Sequence, residues 1–184
     1  MTITTLAAAA STTSSDHHSK MESVVYCIVL LCLTSGLWME ADAKAEEKDC
    51  SGSCPPGWTK LGSRCFIFKN QAMNWASAER DCLALGGNLA SIQSTTEYNF
   101  IRKLVRTATG QDLNFWAGGH DAVMEGVWLW SDGSKFSFSR WGRGEPSNYR
   151  GKEHCMEVNY GANKQVNDVD CLDKQPFVCS SSLK

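Results

Sequence analysis

Cysteine sets the terms on which this chain can fold. Nine occur in 184 residues. Cys27 and Cys32 fall in an early apolar run, whereas Cys50, Cys54, Cys65, Cys82, Cys155, Cys171 and Cys179 are spread over the rest of the chain. That density points to an oxidising compartment, where disulfides persist. The paired CxxC spacing of a structural zinc site is missing, and Cys50 and Cys54 are separated only by Ser and Gly, so disulfides are expected. The length suits one globular domain plus extra segments. A formal net charge of −2, with Lys and Arg scattered along the chain, offers no footprint for nucleic acid or an anionic membrane.

The segment Val24 to Leu33 has the length of a signal-peptide core and falls short of the roughly 20 apolar residues of a membrane span. Gly36, Glu40 and Asp42 interrupt it, which argues against an anchor, and Ala41-Asp42-Ala43 offers a small-residue cleavage site before Lys44. Residues 21–43 are therefore expected to be a signal peptide and the product to be secreted and extracellular. Residues 1–20 form a Thr/Ala/Ser-rich tract with no periodic apolar face, a doubtful extension that leaves Met21 as an alternative start. Residues 44–53 read as a short exposed linker carrying Cys50.

Past Cys54 the pattern turns to short elements. Arg64 to Phe68 is strand-like. Asn74 to Leu85 places Trp75, Ala78, Cys82 and Leu85 on one helical face, and Gly86-Gly87 ends the helix. Ser94-Thr95-Thr96-Glu97 fits a capping box that opens a second helix with Tyr98, Ile101, Leu104 and Val105 as its apolar stripe. From Phe115 onward only short strand-like pieces are expected, separated by Gly, Asn, Asp and Ser. The fold class is α+β, with two early helices and a later, loop-rich antiparallel sheet region.

Several stretches taken together resemble the C-type lectin domain family, over essentially the whole span from Cys54 to Cys179, so that residues 54–184 form the expected domain. They are Cys54-Pro55-Pro56-Gly57-Trp58, Cys65, Trp75 through Cys82, Gly87 through Ile92, Trp116-Ala117-Gly118-Gly119, and Trp128 through Gly133. Trp116, Trp128 and Trp130 are expected to fill core volume and not to bind ligand. The resemblance implies three disulfides: Cys54 with Cys65, Cys82 with Cys179, and Cys155 with Cys171. Cys50 is left over and, in a flexible Ser/Gly setting, is a candidate for an intermolecular bridge in a covalent homodimer or multimer.

The same resemblance implies a Ca2+ site. Glu145-Pro146-Ser147 stands where the family carries Glu-Pro-Asn or Gln-Pro-Asp, Glu153 stands two residues before Cys155, and Val166-Asn167-Asp168 occupies the place of Trp-Asn-Asp before Cys171. Calcium takes six to eight oxygen ligands, and Glu145, Ser147, Glu153, Asn167 and Asp168 would supply them from converging loops. Two adjacent sugar hydroxyls would complete the shell while bonding to Glu145, Ser147, Glu153 and Asn167. A cis bond before Pro146 is also implied. Ser147 departs from the pattern, since a hydroxyl replaces an amide. Glu145 alone points to mannose-type selectivity, but Tyr149 stands where galactose-binding relatives place a stacking aromatic ring, so galactose-type glycans are favoured. Asp121, Glu125 and Asn148 match an auxiliary cation site, against which His154 argues because calcium disfavours imidazole.

The expected function is a calcium-dependent carbohydrate-binding protein acting on microbial surface glycans in innate defence. An ice-binding protein related to the type II antifreeze proteins is one alternative, and a protein-binding relative without sugar activity another. No nucleophile, base and orienting group stand in a catalytic pattern, so the chain is not expected to be an enzyme. No Asn-x-Ser/Thr acceptor is present.

Overall fold

The computed structural model describes residues 52–138 and 140–183. The expected extension, leader and Cys50 lie outside the described residues. Ten elements of regular structure follow in order: β1 (Thr59–Leu61), β2 (Arg64–Met73), α1 (Trp75–Ala84), β3 (Asn88–Leu89), α2 (Thr95–Thr109), β4 (Phe115–His120), β5 (Leu129–Trp130), β6 (Glu153–Tyr160), β7 (Gln165–Asp170) and β8 (Gln175–Ser182), with a single 3-10 turn at Tyr149–Gly151. The strands join in the order β1-β2-β8-β4-β6-β7, with β3 on β8 and β5 on β4. Only the β4–β8 pairing is parallel among the described strands.

Both helices form where capping chemistry directs them. The Asn74 side chain accepts the Ser77 N–H at 2.9 Å and starts α1. Ser94 Oγ accepts the Glu97 N–H at 3.1 Å and starts α2. Glu97 reaches back to the Gln93 N–H at 2.7 Å, one residue beyond the usual reciprocal partner of a capping box, while also taking Arg64 at 2.8 Å. Gly110, at φ 72°, closes α2 in the left-handed conformation that glycine adopts without a Cβ penalty.

The core lies on both faces of the sheet because strand side chains alternate. Phe115 and Ala117 join Phe66, Met156 and Val178 on one face, under Tyr98, Ile101 and Val105 of α2. Trp116 points the other way and packs with Leu89, Phe177, Cys179 and the α1 residues Ala78 and Cys82. Trp116 is fully buried and Trp130 nearly so, as expected, whereas Trp128 is only partly buried, against Trp141 at 4.6 Å. The glycine after Ala117 has a steric cause: a Cβ on Gly118 would stand 2.6 Å from the Leu89 carbonyl oxygen. The disulfides Cys54–Cys65, Cys82–Cys179 and Cys155–Cys171 are all formed. The second closes a separation of 97 residues and locks α1 onto β8, constraining the unfolded chain most.

Two sequence expectations need correction. Leu85 does not belong to the buried face; it is 40% exposed, because it caps the helix and the chain then reverses through Gly86 at φ 84°. The strands after Phe115 are not all short, since β6 and β8 each run for eight residues. The polar letters of β6 read as loop, but each serves a partner on another segment: Glu153 accepts Ser147 and Tyr149, His154 lies against Asp121, Glu157 accepts Asn167, and Asn159 accepts Arg102. Among the described residues no helix is long and apolar enough to cross a membrane.

Ile101 and Leu85 give opposite expectations for the same kind of truncation. Ile101→Ala should destabilise the domain by about 2–5 kcal/mol in a denaturant titration at unchanged m-value. Leu85→Ala should stay within roughly 0.5 kcal/mol of the parent; a cost similar to that of Ile101→Ala would show that the α1 terminus is packed after all.

Candidate functional site

The segment from Arg140 to Lys152 is laid along the free edge of β7. Val166 N–H donates to the Arg140 carbonyl at 2.9 Å and its own carbonyl accepts the Gly142 N–H at 2.8 Å, so the loop begins as an extra rung on the sheet. It then winds around two carboxylates. Asp168 on β7 accepts the Ser147 N–H on Oδ1 at 2.8 Å and the Asn148 N–H on Oδ2 at 2.7 Å. Glu153, at the start of β6, accepts the Ser147 hydroxyl at 3.0 Å and the Tyr149 N–H at 2.7 Å on one oxygen. Asn148 returns a bond by accepting the Glu153 N–H at 3.2 Å. Turning the chain this tightly places Asn148 and Arg150 in the left-handed region, at φ 42° and 60°. The Glu145–Pro146 peptide is cis.

Of the expected ligands, the fold brings Glu145, Ser147, Glu153 and Asp168 into one hydrogen-bonded and electrostatic set. Burial is the main cause that lifts the Glu145 carboxyl above its usual value of 4.5; the Ser147 hydroxyl offsets this in part, and the carboxylates of Asp168 and Glu153 push it further up. Asn167 is buried on β7, and its amide nitrogen donates to Glu157 at 3.1 Å. Two oxygens in this region, Glu145 Oε2 and Asn167 Oδ1, are buried without any hydrogen-bond partner. Buried acceptors are rarely left this way, and a cation is one partner that would satisfy them. The donor set, all carboxylate, hydroxyl and amide oxygen, is that of a hard ion such as calcium and so fits the expected group. Tyr149 is 62% exposed beside the set, with the Arg150 guanidinium 5.0 Å from its ring centroid.

The auxiliary cluster has a different character. His154 Nδ1 lies 3.1 Å from Asp121 Oδ1 and 3.4 Å from Glu125 Oε2, filling the space between the two carboxylates. Asp121 also accepts the Gly126 N–H at 2.8 Å, and Asn148 donates to Glu125. The groups satisfy one another and tie the 121–126 turn to the site loop.

Behind Asn167 lies a buried carboxylate that the sequence reading did not single out. The carboxylate of Glu157, 4% exposed on β6, takes Asn167, Asn114 at 3.0 Å and Gln175 at 2.7 Å. The signal was available: Glu157 follows Cys155 by two on a strand, which sends its charge to the same buried side, where it requires donors.

Residues 71–181 match the family described as Lectin C-type domain. The chain is 44% identical over 164 residues to the galactose-specific lectin nattectin of Thalassophryne nattereri, covering 89% of this chain and all of that one. It is 42% identical to ladderlectin of Oncorhynchus mykiss, over 73% of this chain and 71% of the relative. The solved structure of herring type II antifreeze protein superposes with a TM-score of 0.67 at 31% identity, covering 71% of this chain and all of that one. The chain belongs to the C-type lectin domain family.

The raised Glu145 value carries a sign for stability. A carboxyl that holds its proton more tightly when folded favours the fold at low pH, and that contribution is lost as pH rises from the unfolded value of 4.5 through the higher folded one. In chelator, the melting temperature should therefore fall over that window, and Glu145→Gln should flatten the decline. A profile unchanged by Glu145→Gln would assign the effect to another group.

Proposed function

We propose that this chain is a secreted, calcium-dependent lectin that binds galactose-type glycans through Glu145, Ser147, Glu153, Asn167 and Asp168. The observation that carries the reading is the pair of buried, unpartnered oxygens, Glu145 Oε2 and Asn167 Oδ1, beside a carboxylate set already wrapped by its own loop. Glu145, Ser147, Glu153, Asn167 and Asp168 would hold calcium, which would supply an attraction for two adjacent sugar hydroxyls. Glu145 and Glu153 accept hydrogen bonds from those hydroxyls, and charge-assisted bonds of this kind are the stronger ones. Asp168 holds the loop in shape, and the Ser147 hydroxyl orients one oxygen of Glu153. The exposed Tyr149 ring offers a flat face to the apolar side of galactose. Likeness to a relative named for galactose specificity supports the same choice.

Microbial surface glycans in innate defence are the proposed targets. One weak sugar site gains strength on a repetitive surface when two domains are joined, and Cys50 is the proposed link. Native protein run without reductant should migrate as a dimer, and Cys50→Ser should convert it to monomer; a parent that is already monomeric contradicts the link.

Affinity resins test the reading as a whole. The domain should be retained on galactose more strongly than on mannose in calcium, and a chelator should release it. Asp168→Asn should abolish retention, and Tyr149→Ala should weaken galactose binding by roughly 2- to 10-fold, the worth of one stacked ring. Thermal hysteresis in a protein retained by neither resin would replace the lectin reading with an ice-binding one, for which the likeness to herring type II antifreeze protein is the ground.

A further inference from the structure

We propose that Glu157 is a positioning residue for the cation site, fixing which end of the Asn167 amide faces the ion. The inference rests on the calcium reading above and concerns a residue that does not itself reach the ion. Glu157 stands directly opposite Asn167 in the β6–β7 register. Its Oε1 accepts the Asn167 nitrogen at 3.1 Å, while Oε2 accepts Asn114 at 3.0 Å and Gln175 at 2.7 Å. A carboxylate accepts and does not donate, so all three amides must present nitrogen to it and turn their carbonyl oxygens elsewhere.

Gln175 Oε1 is left buried and without a partner as well; for Asn167 the consequence bears on the site. Its Oδ1 is left buried and without a partner. The residues on either side of it both touch the site loop: Val166 through its carbonyl to the Gly142 N–H, and Asp168 through its carboxylate to the Ser147 and Asn148 N–H groups. An asparagine amide is nearly symmetric in shape, so packing alone does not choose between its two orientations; the hydrogen-bond partner does. Only the oxygen end can ligate calcium. Glu157 makes that choice, as outer partners of metal ligands do elsewhere.

The substitution Glu157→Gln keeps the shape and reverses the logic. The new amide can turn its oxygen to the two donors, Asn114 and Gln175, which leaves its nitrogen facing Asn167. Asn167 must then present Oδ1 to that nitrogen and turn its own N–H2 group outward. We expect the calcium dissociation constant, measured by calorimetry, to weaken about ten- to hundredfold. The double variant Glu157→Gln with Asn167→Asp should recover most of the affinity, because a carboxylate presents an oxygen in both directions. Near-UV circular dichroism and melting in chelator report folding independently of the ion. Wild-type affinity in folded Glu157→Gln, or no recovery in the folded double variant, overturns the assignment. Should the variants not fold, the parent decides: calcium should move the 13Cγ resonance of Asn167 while its side-chain N–H2 protons keep their hydrogen-bonded shifts, and an unmoved 13Cγ overturns the proposal. A parent that binds no calcium at all removes the functional reading on which the proposal stands.

Discussion

The bonds from Ser147 and Asn148 to the carboxylate of Asp168 hold the functional end of this domain together. Each is a backbone N–H donated to a charged acceptor, worth about 1.5–3 kcal/mol net by the usual measure of such bonds. Without them the segment between Gly142 and Glu153 would keep its first rung on β7 and its bonds to Glu153 and Glu125, but its middle would not be fastened to β7. With them, Ser147 is delivered to Glu153, Asn148 is delivered to Glu125 and the Glu153 N–H, and Tyr149 is left projecting outward. Asp168 can act this way because β7 is held in place by its neighbours. It pairs with β6 along its length, and Cys155–Cys171 joins the two strands just outside the site.

That arrangement gathers negative charge on one side of the sheet, and the local electrostatics register the cost. Burial, with Asp168 and Glu153 adding to it, raises the Glu145 carboxyl above its usual value. A hard cation would offset these effects together, neutralising the repulsion and giving the unpartnered oxygens of Glu145 and Asn167 a partner. The neighbouring cluster of Asp121, Glu125 and His154 shows the contrast. There an imidazole already lies between the carboxylates, and the groups satisfy one another. Two acidic clusters joined by Asn148 thus differ in what they lack.

Much of this was readable in the sequence because cysteines and caps act locally. Ser94 and Glu97 announced α2, and the resemblance of the stretches around Cys155 and Cys171 to the C-type lectin pattern pointed to Glu153 and Asp168, which the fold brings to the same loop. Three things were not readable. Leu85 continued the helical spacing of α1, and the stop at Gly86-Gly87 was legible, but spacing does not say whether the core still covers the capping residue, which here is exposed. The length of β6 was hidden because its polar residues serve a buried network, which interrupts the alternation that marks a strand. The partners of Asp168 were invisible for a deeper reason: they are backbone N–H groups, which every residue but proline carries, so no letter distinguishes them.

The decisive measurement is a calorimetric titration of the purified domain with calcium. One ion per domain should bind with a dissociation constant on the order of 10⁻⁴ to 10⁻³ M, the range of extracellular modules, and that binding should be lost in Asp168→Asn. Absence of binding heat at calcium concentrations well above that range, in a protein whose circular dichroism shows it folded, would contradict the calcium reading.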